Sequence, residues 1–130
     1  MTTTIASYDI SGIFYNSPAV TVETVLRKAF GDVQTKSRQF GYHMDVQSNL
    51  LKLHVHTADN NGLRWYLSTE FKGTTIELEQ LLDLLTRSLV EADVLYLIDY
   101  VELDENGEPV SDEETLSHPE FDERYVPPKS

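Results

Sequence analysis

Between Val33 and Phe71 the chain alternates. Tyr42, Met44 and Val46 are interleaved with His43, Asp45 and Gln47, and Leu51, Leu53 and Val55 with Lys52, His54 and His56. Leu63, Trp65, Leu67 and Phe71 then alternate with Arg64, Tyr66, Ser68 and Glu70. A period of two sends one parity to a covered face and the other to water. The pattern predicts a three-stranded antiparallel meander, turning at Ser48-Asn49 and at the "ADNNG" segment, 58–62.

The flanks carry other periods. Thr3 to Tyr15 reads as an extended segment with a bulge at Gly12. Ser17-Pro18 marks a helix start. Val22, Val25, Leu26, Ala29 and Phe30 recur at helical spacing, and Gly31 supplies a left-handed end. A second helix opens with a T-x-x-E capping box, Thr74 to Glu77. Leu78, Leu81, Leu82, Leu85 and Leu89 form its apolar stripe, too short for a coiled coil and so a core face. Asp83 and Arg87 are spaced for an i,i+4 pair on its outer side.

Val94 to Leu103 is a strand apolar on both parities, with Leu95, Leu97, Val101 and Leu103 pointing one way and Tyr96, Ile98 and Tyr100 the other. "DENG" turns the chain, Glu108 to Leu116 returns as a polar strand, and 117–130 forms an irregular tail. The fold class is α+β. A single domain, 1–130, holds an antiparallel sheet (N-terminal strand, meander, C-terminal hairpin) with two helices on one face.

Composition changes the picture mainly through charge. With 40 % hydrophobic residues the chain is too apolar for a disordered segment. It has no cysteine, so disulfides and thiolate metal sites are excluded. No basic segment followed by an apolar run opens the chain, and no window nears the roughly 20 apolar residues of a membrane span, so a cytoplasmic protein is expected. The net charge is −12. Residues 1–65 carry five Asp/Glu against six Lys/Arg, and residues 66–130 carry seventeen against four. That asymmetry argues against nucleic-acid binding, which needs a basic face, and for a basic protein partner.

The candidate chemistry is sparse. From Glu102, the segment "ELDENGEPVSDEE" places Asp104, Asn106, Gly107 and Glu113 at positions 3, 5, 6 and 12 of a calcium loop. Its flank reads as strand rather than helix, and the expected structure is a hairpin turn at Asn106-Gly107. His54-x-His56 puts two imidazoles on one strand face, with Asp59 and His43 able to complete a metal set. Two histidines on an open hairpin face are more often plain surface. Asp99 among apolar neighbours is a candidate buried acid, although an edge or bulge position, or a hydrogen bond to a tyrosine, explains it better. No nucleophile elbow and no phosphate-cradling loop occur. The reading is therefore not an enzyme and no cofactor, with a small metal-dependent enzyme on the His54/His56 strand as an alternative.

One constellation stands above this background. The face away from the leucine helix is expected to carry His54, His56, Arg64, Tyr66, Tyr96 and Tyr100, beside the acids Glu102, Asp104, Glu108, Asp112, Glu113 and Glu114. Tyrosine anchors with an acidic rim suit recognition of a basic protein. In length, lack of cysteine and the acidic half "DENGEPVSDEETLSHPEFDERY", the chain resembles the small immunity proteins that neutralise secreted bacterial toxins. That resemblance implies an inhibitor that caps a basic, nuclease-type cleft with carboxylates. The order from Val22 to Leu116 is also similar to class I chaperones of type III secretion, which implies a homodimer binding an extended client. The strand at Thr3 to Tyr15 and the lack of a C-terminal helix depart from that family. Monomer and homodimer both stay open.

Overall fold

The computed structural model describes residues 5–15, 17–31, 33–38, 41–47, 51–57 and 64–124. The chain runs β1 (Ala6–Tyr15), α1 (Ala19–Phe30), β2 (Gln34–Arg38), β3 (Gly41–Gln47), β4 (Leu51–Thr57), β5 (Trp65–Gly73), α2 (Thr75–Glu91), β6 (Leu95–Leu103), β7 (Glu114–Ser117) and α3 (Phe121–Arg124). The strands form one antiparallel sheet in the order β2-β3-β4-β5-β1-β6-β7. The fold is α+β, with a seven-stranded sheet and two main helices.

The alternation read from the sequence is the alternation of burial. β5 is buried at every second residue from Trp65 to Gly73. Met44, Val46, Leu53, Val55, Trp65, Leu67 and Phe71 join Ile10, Phe14 and Ile98 in one core under the helices. The meander has one more strand than its pattern announced. None of the described side chains of β2, Gln34 to Lys36, joins that core, and the segment Gln34–Arg38 has no apolar parity to read. It is an edge strand bearing Lys36 and Arg38, the charged kind of edge that resists pairing with other chains. The two expected turns fall outside the described residues, as do Leu63 and Asp59.

α1 buries Val22, Val25, Leu26 and Ala29 and lies over β3. Pro18 is its N-cap, and Gly31, at φ 91°, ends it while donating its N–H to Arg27 O. α2 lies over β5 and β6. Both bonds of its capping box form: Glu77 N–H donates to Thr74 Oγ1 at 3.1 Å, and Thr74 N–H to Glu77 Oε1 at 2.9 Å. Its other end is a Schellman motif built on Asp93 at φ 58°, with Val94 N–H donating to Leu89 O and Asp93 N–H to Val90 O. The expected Asp83–Arg87 pair is present, and Lys28 of α1 pairs with Glu91 of α2.

One expectation is corrected. Gly12 is not a bulge, because β1 runs in unbroken register against both β5 and β6. A Cβ there would lie 3.0 Å from Ile98 Cγ1 and 3.1 Å from Leu97 O, so the glycine allows close approach of β6. Of the expected irregular tail, 125–130 lie outside the described residues, while the part up to Arg124 packs back on the sheet and includes the short α3. His118 is buried and donates its N–H to Tyr96 O, Phe121 meets Tyr15 edge-on at 5.9 Å, and Arg124 pairs with Asp93. This return explains why β6 is apolar on both parities. Tyr96 and Ile98 face the core, while Leu95 is buried next to Tyr15, where α3 packs against β6.

Replacing Gly12 with Val should destabilise the protein by about 1–3 kcal/mol despite valine's strand preference, because the added atoms meet backbone as well as side chain. Thr74→Ala should cost about 1 kcal/mol by orphaning the first-turn donor. Urea unfolding of both variants measures these losses, and a Gly12→Val variant as stable as the parent would remove the close-approach argument.

Candidate functional site

The register lays the uncovered sheet face out in rows. One row crosses Lys36, His43, His56, Tyr66, Ile13, Leu97 and Ser117; the next crosses Gln34, Asp45, His54, Ser68, Ser11, Asp99 and Thr115. Histidines therefore gather on β3 and β4, and a shallow depression of about 280 Å³ lies beyond Tyr66, lined by Ser11, Ile13, Leu97 and Asp99. Asp99 accepts the Thr115 hydroxyl at 2.6 Å and is only partly buried, so it is not a sequestered acid; it lies inside the sheet between β1 and β7 rather than at an edge, and its partner is a threonine rather than a tyrosine.

Within the histidine group Asp45 is central. His43 Nε2 lies 2.7 Å and His54 Nδ1 2.5 Å from the same Asp45 oxygen. An ionised carboxylate only accepts, so both rings donate to it. Desolvation works to raise the Asp45 pKa, but the bonds from His54 and His43 outweigh it and hold the carboxyl below its ordinary value. His56 stands apart with its ring edge-on to Tyr66 at 5.8 Å. The metal-type arrangement is thus His43, Asp45 and His54, whose ligand atoms all lie within 4.8 Å of one another, rather than the pair His54/His56. Asp45 is the member that sequence reasoning missed. Its signal was available: it shares the polar parity of His43, two residues away.

The tyrosines do not sit as expected. Tyr66 is on the open face and 41 % exposed. Tyr96 is on the helix side, 4 % exposed and stacked edge-on with His118. Tyr100 also turns toward the core and is half-buried against it. The parity of β6 decides this: Ile98 is fully buried, and Tyr96 and Tyr100 share its side. The expected aromatic face is corrected to Tyr66 alone among these three.

The acids do gather. Asp104, Glu105, Glu108, Asp112, Glu113 and Glu114 are all exposed on the β6–β7 hairpin, with Glu102 partly exposed at its base. The turn is the expected one. Gly107 has φ 80° and donates to Asp104 O at 3.0 Å, Val110 N–H donates to Glu102 O, and the Asp104 carboxylate takes the N–H groups of Asn106 and Glu108 at 2.8 and 2.9 Å. The Asp104 side chain is thereby an internal turn acceptor. The return strand is shorter than expected, a single bridge from Leu103 to Pro109 followed by β7. Beside the hairpin an open groove of about 1070 Å³ runs along Ile5, Ala6, Ser7, Glu70, Lys72, Glu102, Leu103 and Val110. Ile5 and Val110 are 63 % and 53 % exposed on its walls. Neither stood out in the sequence, because an isolated apolar residue in a loop carries no period.

Burial raises the pKa of Tyr96 against the opposing Thr86 bond. Burial also raises that of Tyr100, helped by repulsion from Glu114 and Glu79. A folded value above the unfolded one, about 10, means stability present below that pH and lost as pH climbs through the folded value. Carbon-13 titration of the tyrosine rings should find both ionising late, and 1 M salt should lower the Tyr100 midpoint more than that of Tyr96 by screening its acids.

Among the described residues no helix is long and apolar enough to cross a membrane. Comparison with protein-family models, curated proteins and solved structures returned no match to this chain.

Proposed function

We propose that this protein is a non-enzymatic binding module that neutralises a basic protein partner through its acidic hairpin edge. The carrying observation is the groove where exposed Ile5 and Val110 stand beside Glu70, Glu102, Asp104 and Glu105. Apolar walls under an acidic rim match an amphipathic cationic segment, which can bury its apolar side while its Lys and Arg heads meet carboxylates. Among the described residues Lys72 is the single cation on that lining, and between Arg87 and Arg124 the sequence has no Lys or Arg. The negative potential is therefore uncompensated locally, which speeds encounter with a cationic surface.

This is the chemistry that the resemblance to toxin-immunity proteins implies, with the hairpin loop entering the basic cleft of a bacterial, nuclease-type toxin in the cytoplasm. The acids that act are Glu102, Glu105, Glu108, Asp112, Glu113 and Glu114, with Ile5 and Val110 as apolar anchors. Asp104 serves by holding the loop in shape.

Affinity purification of the full chain from its native cells, with mass spectrometry, should recover one dominant basic protein. Against that protein, Glu102→Lys with Glu105→Lys should slow association about tenfold or more at low salt and flatten its salt dependence. Val110→Ser with Ile5→Ser should instead speed dissociation. A partner that binds both double variants as tightly as the parent would overturn the reading.

A further inference from the structure

The geometry points to a second site, on the opposite half of the sheet: His43, Asp45 and His54 form a binding site for a divalent transition-metal ion of the zinc, cobalt and nickel class. The hairpin proposal neither needs this site nor supplies it.

The three ligands come from two adjacent strands in fixed register. His43 and Asp45 are two apart on β3, and His54 lies directly opposite Asp45 on β4. Their side chains line the uncovered face, half-buried at His43 and Asp45 and exposed at His54. Ligands on paired strands are held by the ladder rather than by a loop, which is the preorganisation that a metal site needs. Zinc at about 2.0–2.1 Å from each donor sets the ligand atoms roughly 3.3 Å apart. With all three already within 4.8 Å of one another, side-chain rotation without backbone movement accommodates an ion.

The donor set names the ion class. Two imidazoles and one carboxylate suit borderline divalent ions. A single carboxylate is a poor match for calcium or magnesium, which need more oxygen ligands or phosphate. The open side of the face leaves room for water to complete the shell.

A second group in the molecule shows what a filled cluster looks like. Asp93, His118 and Glu120 also converge, but Arg124 bonds Asp93 at 2.7 Å and Glu120 at 3.4 Å, and His118 Nδ1 takes the Glu120 N–H. That cluster already contains its cation. Asp45 is different: its ion-pair partners among the described residues are the two histidines, both of which can release a proton and turn a lone pair to a metal. Lys36 beside His43 and Lys52 two residues from His54 oppose a cation, yet both side chains are exposed and their heads keep their water.

The test uses the full chain, stripped with a chelator and dialysed. Isothermal titration with Zn²⁺ should show one site per chain, and Co²⁺ should give the visible absorption of a low-coordinate nitrogen–oxygen site. His43→Ala, Asp45→Asn and His54→Ala should each weaken binding at least about 100-fold, beyond the loss typical of an outer-shell partner. His56→Ala should leave it within about threefold. In the unsubstituted protein, which has four histidines, Co²⁺ should broaden the His43 and His54 ring resonances while sparing buried His118. This last readout needs no variant to fold. Absence of Zn²⁺ and Co²⁺ binding at 100 μM overturns the site. So does a His56→Ala loss equal to that of His54→Ala with His43→Ala unaffected.

Discussion

The structure depends on β1 being paired on both sides. It is the first strand in the chain and lies inside the sheet, between β5 and β6. On one side of it lies the meander under α1, and on the other the hairpin that follows α2. Nine residues of β1 pair with β5 and nine with β6, so among the described strands it is the one that joins the two halves of the sheet. Its even-numbered side supplies Tyr8, Ile10 and Phe14 to the core, and Gly12 between them lets β6 come close. A buried bond secures the turn that leaves it: Trp65 Nε1 donates to Ser17 O at 2.7 Å, tying the start of β5 to the approach to α1. These contacts span much of the chain, so forming them carries a large loop-closure cost.

Most of this was legible because period and capping are local. The alternation of Met44 to Phe71 and the Leu78–Leu89 stripe each state their own buried side, and Thr74 and Glu77 carry their cap within four residues. Strand order was not legible, since nothing in Thr3–Tyr15 says which strands flank it. β2 was missed because an edge strand of Gln, Thr, Lys, Ser and Arg has no apolar parity. The tyrosine face failed for a related reason. β6 is apolar on both sides, and only the burial of Ile98 fixes which side Tyr96 and Tyr100 share. The Asp45 cluster needed the β3–β4 register, which a single sequence does not contain, whereas the acidic hairpin was visible as composition alone.

Charge and fold are coupled along the sheet. One edge, β2, carries Lys36 and Arg38; the other, β7, carries Glu114 and continues from the acidic loop. α2 lies over the β5–β6 half and adds Glu79, Asp83 and Glu91 on its exposed side. The covalent order of the halves thus becomes a spatial polarity, because the meander and the C-terminal hairpin flank β1 on opposite sides.

The two candidate sites also differ in how firmly the fold holds them. The histidine group stands on β3 and β4, whose neighbours Met44, Val46, Leu53 and Val55 are fully buried, so its geometry is fixed by the core. The hairpin loop from Asp104 to Glu113 contributes no residue to that core and keeps its shape through the Asp104 turn bonds and one bridge. Such a segment opens at lower free energy than the sheet beneath it and can adjust to a partner's surface. Rigid donors suit an ion, which tolerates little error in distance, while an adaptable charged loop suits a protein surface that must be matched over a wide area. The sheet supplies both because its ladder holds β3 and β4 along their length, while the 104–113 loop lies beyond the part of β6 that β1 pairs.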